Sequence, residues 1–427
     1  MRKAIRIAVL AAALAADAAP PRPAVPQDVR HETTAINVEV PVRVFDGGRF
    51  VDKLGLEDFE LTEDGKPQRI EAFYLVKKTI IERHEEERSF APRTARHFFL
   101  FFEVGDYDPK IAESLDYFVK TVLLPGDNLT LVTPMKTYRM KGELFGLVGR
   151  EKTYAQIIGL LRRDIQIGYS ESRAVLAEMT DLARVMASEI NAREVVSEID
   201  SPTAVSPPAT VPVAPVDSVY QGGSFEEKLM HYGTLLSRLD HLRVVDQSKL
   251  LAFAAHLKGL EGQKGVFLFY QREFVPKIDP RVIDMLAAKY NQRPDITQSL
   301  YATFGLDNRQ VTLDVDAVAK AYADSSASIH FLHIARPAER AEGIRMEEQS
   351  EDIFGPFLEM ARSTGGYATS TSNITAAMRS AVEASENYYL LYYTPAGYKA
   401  DGRFHKVAVK VRNADYRVSH RLGYVAD

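Results

Sequence analysis

The chain has 427 residues, 46% of them hydrophobic, a formal net charge of −5 and no cysteine. That apolar content is enough for one large core with smaller modules. The missing cysteine excludes disulfides, thiolate catalysis, thiolate zinc sites and a lipidated N-terminal Cys, and the acidic balance argues against a nucleic-acid partner.

The first residues, Met1-Arg-Lys-Ala-Ile-Arg6, carry positive charge and lead into an apolar run ending at Ala16. This order predicts a cleavable signal peptide over 1–19 and hence a secreted protein, periplasmic or extracellular. Its loss removes Arg2, Lys3, Arg6 and Asp17, a net +2, and moves the charge from −5 to −7. No later segment approaches the roughly 20 apolar residues of a spanning helix, so no membrane span is expected. Residues 20–32, rich in proline, predict a disordered leader. Residues 33–82 alternate with the period of strands and turn at Asp46-Gly-Gly48 and Asp64-Gly65, which predicts a small β module. So few strands are marginal alone and need a partner surface. Glu85-Glu-Glu87 with Arg88 reads as a solvated linker.

The unbroken apolar run Phe98-Phe-Leu-Phe-Phe102 predicts a strand covered on both faces, as in a parallel sheet. It delivers the acidic loop Glu103-Val-Gly-Asp-Tyr-Asp108 into a helix that Asp108 caps and Pro109 begins, with Ile111, Leu115, Phe118, Val119 and Val122 at helical spacing. Ligands of open α/β sheets bind at the carboxyl ends of strands, so Glu103, Asp106 and Asp108 sit at a candidate site. A second strand is predicted over Asn128–Pro134, and further strands at Gly265–Tyr270 and Ser328–Ile334. Residues 197–223, rich in Pro, Ala, Val and Ser, predict a mobile surface loop. Residues 279–318 predict short broken helices that lid the candidate edge.

No Gly-x-Ser-x-Gly elbow, phosphate-binding Gly-rich loop or His-Glu-x-x-His helix is present, and no catalysis is expected. Asp314 and Asp316 read as helix caps in preference to a catalytic pair. His330 and His333 lie on opposite faces of one strand and form no metal pair. Tyr388, Tyr389, Tyr392 and Tyr393 flank Leu390-Leu391 and read as core aromatics of a strand. Strands over 395–427 are expected to pair with the N-terminal module.

From Arg96 to Thr394 the order of elements, with Phe357-Leu-Glu-Met-Ala-Arg-Ser-Thr-Gly-Gly366 and Asn387-Tyr-Tyr-Leu-Leu-Tyr-Tyr-Thr-Pro395, resembles the von Willebrand factor A domain of a secreted bacterial subfamily. Val42–Val51 and Leu56–Pro67 resemble the leading segment of that subfamily. The resemblance implies an α/β domain over 96–394, a Rossmann-like, open, mostly parallel sheet with helices on both faces, joined to a β-sandwich-like module from the terminal strands. It also implies protein binding.

Where the family carries an Asp-x-Ser-x-Ser metal-binding loop, this chain has Glu103-Val-Gly105-Asp-Tyr107. The family's Thr and second Asp correspond to Ser170 and Gln271. Two hydroxyl ligands and one carboxylate are thus replaced, and magnesium tolerates poor geometry badly, so no metal and no cofactor are expected. A calcium site from Glu103, Asp106 and Asp108 is a weaker reading, since turn and cap roles explain the two aspartates. The expected function is a non-catalytic protein-interaction module that meets an unidentified protein partner through Glu103, Gly105, Asp106, Tyr107, Ser170 and Gln271. The alternatives are an envelope assembly role through the β flanks, and adhesion through a noncanonical cation.

Overall fold

The computed structural model describes residues 36–86, 90, 92–143, 148–190, 222–243, 245–305, 313–338 and 342–427. The expected signal peptide, the leader and all but the last two residues of the 197–223 loop lie outside the described residues.

Alternation of apolar and polar residues forms β1 (Val38–Asp46), which turns through Gly47 and Gly48, both at positive φ, into β2 (Arg49–Phe50). The hairpin of β3 (Phe59–Glu63) and β4 (Lys66–Gln68) turns at Asp64 (φ 48°) and Gly65 (φ 78°), the left-handed pair that a two-residue hairpin requires. Then come β5 (Ala72–Lys77), β6 (Ile80–Glu86) and β7 (Arg96–Glu103). Asp108 caps α1 (Pro109–Tyr117), accepting from the Lys110 N–H at 2.8 Å. β8 (Asn128–Val132), β9 (Thr137–Lys141), α2 (Arg150–Gly168) and α3 (Ser170–Ala187) follow. A capping box of Ser224 and Glu227 starts α4 (Phe225–Leu242), and Asp246 caps α5 (Gln247–Lys258).

The second half runs β10 (Gln263–Gln271), β11 (Phe274–Ile278), α6 (Pro280–Lys289), α7 (Pro294–Phe304) and α8 (Val315–Asp324). It continues with β12 (Ala327–Ile334), β13 (Ile344–Glu348), α9 (Glu351–Ser363), β14 (Ala368–Thr371) and α10 (Ile374–Glu386). β15 (Asn387–Tyr393), β16 (Phe404–Val411), β17 (Arg417–His420) and β18 (Gly423–Val425) close the chain. Asp314 accepts from the Ala317 N–H as the cap of α8, and Asp316 pairs with Lys320, so both serve the helix. Among the described residues no helix is long and apolar enough to cross a membrane.

The fold class expected from the resemblance, a Rossmann-like, open and mostly parallel sheet, is corrected by the pairing. Antiparallel ladders predominate, in the sheets β17-β1-β15-β5-β6, β18-β16-β3-β4 and β11-β13. Parallel ladders are confined to β14-β12-β10-β7-β8, and that sheet is mixed because β9 joins β8 antiparallel. The reason is connection length. A turn in which the Thr133 N–H and hydroxyl donate to the Lys136 carbonyl returns the chain at once, and short connections make antiparallel neighbours. An apolar run reports burial on both faces; it does not report the direction of every neighbour.

The terminal strands meet across the whole sequence. β1 lies between β15 and β17, and β3 pairs with β16. The two sheets share one apolar cluster that includes Val40, Val42, Leu61, Phe73, Tyr389, Tyr393 and Val407. On β7, Phe98, Leu100 and Phe102 pack with α1, α2 and α10, while Phe99 packs with α5 and α8. Arg96 and Asp127 form a buried two-point ion pair at 2.9 and 2.5 Å beneath these strands. α6 and α7 bury Val282, Leu286, Leu300 and Phe304 against α3 and α4.

Thr364-Gly365-Gly366 ends α9 as a Schellman motif. Gly366 N–H donates to Ala361 O at 2.8 Å, Gly365 N–H to Arg362 O at 3.1 Å, and Gly365 has φ +69°. A Cβ on Gly366 would stand 1.8 Å from the Ile329 carbonyl oxygen, and one on Gly365 within 2.9 Å of the His420 backbone. Gly159, by contrast, sits in α2, where a Cβ would meet nothing within 4 Å. Urea unfolding is expected to show Gly366→Ala destabilised by roughly 2–4 kcal/mol and Gly159→Ala stabilised by about 0.5–1 kcal/mol. Equal effects at the two positions would refute this account of the corner.

Candidate functional site

β7 and β10 pair in parallel with Phe102 beside Phe269 and Glu103 beside Tyr270, so the segments after both strands emerge side by side. Gln271 is 7% exposed, and its amide oxygen accepts from the Asp106 N–H at 2.9 Å, which ties the two segments together. Arg173, from the first turns of α3, donates to the Gly105 carbonyl at 2.7 Å and to the carbonyls of Ile165 and Gln166 at the end of α2. A guanidinium is favoured there by the partial negative charge of a helix carboxyl end.

Three more arginines converge on this place. Arg336, just beyond β12, pairs with Asp106. Arg243, at the end of α4, pairs with Glu273 and donates to the Gln349 side-chain oxygen at 3.0 Å. Arg272 pairs with Glu348 at 3.2 Å and donates to the Ser370 hydroxyl. Together they line a cavity of about 320 Å³ whose other wall is apolar, with Leu176, Leu239, Val275 and Met346. Its lining carries four guanidiniums, those of Arg173, Arg243, Arg272 and Arg336, against the carboxylates of Asp106 and Glu273.

The six residues singled out in the sequence are only partly brought together. Gly105, Asp106 and Gln271 line this cavity. Glu103 lines a second, neighbouring cavity, where its carboxylate accepts from the Tyr169 hydroxyl at 2.5 Å. Although Glu103 keeps some solvent contact, the surrounding protein raises its carboxyl above the usual range; the Tyr169 hydrogen bond opposes that rise and the nearby Glu273 adds to it. Tyr107 packs on the core around β7, with the Arg162 guanidinium 4.9 Å above its ring. Ser170 donates its hydroxyl to Ile167 O at 2.7 Å and lines neither cavity. As the first residue of α3 it finds its nearest acceptor in the preceding turn of backbone. No residue of 279–318 outside the undescribed 306–312 lines the arginine cavity.

The residues that sequence reasoning missed are Tyr169, Arg173, Arg243, Arg272, Glu273 and Arg336. Arg272 and Glu273 directly follow Gln271, and Tyr169, between α2 and α3, stands one residue before Ser170 with Arg173 in the first turn that follows, so a signal for these existed. Arg243 and Arg336 come from distant element ends, and nothing local marks them.

The oxygen donors of this edge do not fit a divalent cation. Glu103, Asp106 and Gln271 are each engaged, by Tyr169, by Arg336 and by the Asp106 N–H, and the Arg336 guanidinium already supplies the charge that a cation would bring. Asp108 is occupied as a helix cap. The cluster of three metal-ligating side chains found among the described residues lies elsewhere, at Glu63, Asp64 and His405. His330 and His333 are buried in β12. The Tyr367 N–H donates to Nδ1 of His330, and Nδ1 of His333 meets the Ser370 hydroxyl at 3.2 Å. Burial, then the charge of Arg43, lowers His330 to about 3; burial, then Arg272, lowers His333 to about 4.

No protein-family model, no curated protein and no solved structure matches this chain.

Calorimetric titration with magnesium, calcium or manganese is expected to give no binding at this edge; micromolar binding lost in Glu103→Gln would overturn that expectation. The two histidines bind protons less readily in the folded chain than unfolded. Stability is therefore expected to fall as pH drops from about 6.5 towards 4, and to fall less steeply in His333→Asn, as followed by urea midpoints across that range.

Proposed function

We propose that this chain is a secreted, non-catalytic binding protein whose arginine-lined cavity receives an acidic side chain or a terminal carboxylate of a protein partner. The observation that carries the reading is a cavity with one apolar wall and four guanidiniums, of which Arg243, Arg272 and Arg336 pair with carboxylates while Arg173 is held by main-chain carbonyls. Arginine presents a planar fork that matches a carboxylate in two-point geometry, and the apolar wall suits a neighbouring aliphatic side chain of the partner. Arg173 bonds to main-chain carbonyls, so these contacts leave its charge available to a partner anion. The lining contains no histidine that could serve as general base to Ser172 or Thr180. The sequence resemblance to von Willebrand A-related secreted proteins, which implies protein binding, supports the same role. In this reading a fixed guanidinium stands where a bridging cation would otherwise meet the acidic partner. The charged and apolar N-terminal sequence supports secretion.

A second reading, envelope assembly by strand addition, is favoured by β6. It is the edge strand of its sheet and exposes Ile80 at 65% and Ile81 at 37%.

A peptide array probed with the purified chain tests the first reading. Peptides with Asp, Glu or a free carboxyl end beside an apolar residue are expected to bind, and binding is expected to weaken about tenfold or more in Arg336→Gln with Arg173→Gln. Equal binding of peptides with Asn, Gln or amidated ends, or no loss in that variant while its melting temperature holds, refutes it. Loss of binding on Ile80→Lys with the arginines intact favours the second reading.

A further inference from the structure

We propose that the second cavity is a small-molecule site for an uncharged ligand with an aromatic or aliphatic body and one hydrogen-bond acceptor. The cavity measures about 380 Å³, within the range of roughly 300–1,000 Å³ typical of small-molecule sites. It lies between the β7, β10 and β12 face and helices α5, α8 and α9, with walls that include Phe101, Phe253, Leu268, Ile329, Phe331 and Phe357. Phe101 and Leu268 are only partly buried, although Phe102 and Phe267 next to them are sealed.

Tyr322 sets the polar requirement. It lines the cavity from α8 and is 2% exposed, and its hydroxyl has no hydrogen-bond partner among the described residues. A phenol that lines the cavity with no protein acceptor has its O–H left to donate to a ligand acceptor. Burial raises the phenol above its usual range, so it offers a proton and does not ionise. The charged residues of the lining, Glu103, Arg243, Asp246, Lys249 and Glu273, come from the strand ends, the α4–α5 connection and the first turn of α5, and Arg243 and Glu273 neutralise each other. The aromatic walls hold no counterion for a charged ligand, whose burial would go uncompensated. Tyr169, Arg243 and Glu273 also line the arginine cavity, but Tyr322 and the apolar walls belong to this one alone.

The test titrates the full chain with 2-naphthol, naphthalene and 2-naphthoate, read by the fluorescence of each probe. 2-Naphthol is expected to bind with micromolar affinity, and 2-naphthoate about tenfold more weakly. Tyr322→Phe is expected to weaken 2-naphthol about tenfold and leave naphthalene unchanged, the loss of one hydrogen bond. Leu268→Trp, which fills the cavity, is expected to abolish all three while acidic peptides still bind at the arginines. No binding of 2-naphthol at millimolar concentration, or affinity indifferent to Tyr322→Phe, overturns the proposal. If Leu268→Trp does not fold, the Tyr322→Phe comparison decides alone, and neither result depends on whether the arginine cavity takes peptides.

Discussion

Backbone crowding at Thr364-Gly365-Gly366 governs much of the remaining architecture. Gly366 passes so close to the Ile329 carbonyl that any side chain would collide with it, and Gly365 passes the backbone of His420 in the same turn. Thr364 joins them, since its hydroxyl accepts from the Ile329 N–H and donates to Met360 O, each at 3.0 Å. The Leu422 N–H donates to Ser363 O, and the Ser419 hydroxyl to Gly365 O. One corner therefore fixes the end of α9, the approach of β14 to β12, and the docking of the C-terminal strands, which pair in turn with β1 and β3. Hydrogen bonds at such a crossing exist only if the chains come close, and only glycine permits that approach.

The edge beyond β7 and β10 rests on electrostatic exchange. A loop of carboxylates at strand ends is costly to crowd unless positive charge is supplied. Here that charge comes from side chains fixed by their own partners: Arg173 on helix-end carbonyls, Arg243 on Glu273 and Gln349, Arg336 on Asp106. Fixed guanidiniums differ from a bound cation in consequence, because they recognise a carboxylate by planar geometry and need no ion from solution. That difference separates this edge from one built on hydroxyl and carboxylate oxygens alone.

The two sides of the central strands are packed unequally. Around Leu100 and Phe102 the helices close completely, with Ile111, Leu115 and Phe118 at 0% exposure, and Phe102 stacks on Phe269 at 4.7 Å. On the side of Phe101, α5 contributes Phe253 and Ala254 but leaves space near the strand ends. Eight of the residues around that space are aromatic, in Phe101, Tyr169, Phe253, Phe269, Tyr270, Tyr322, Phe331 and Phe357. Rigid rings placed around a gap cannot collapse into it as aliphatic chains do, which keeps the cavity open.

The sequence by itself determined what depends on near neighbours. The run Phe98–Phe102 made a strand buried on both faces, Asp108-Pro109 made a helix start, Asp64-Gly65 made a hairpin, and Asp314 made a cap, because each follows from spacing or from one residue's allowed backbone angles. His330 and His333 stood on opposite faces for the same reason. Tertiary structure alone decided the direction of strand pairing, which depends on where each connection returns the chain, and so the fold class could not be read from an apolar run. It also decided the membership of the site. Gly105, Asp106 and Gln271 were legible because they sit at strand ends, while Tyr107 was drawn into the core by its ring and Ser170 into its own helix turn by its hydroxyl. Arg243 and Arg336 reach the cavity from elements far apart in sequence. Such convergence is a property of packing, and no local pattern of residues encodes it.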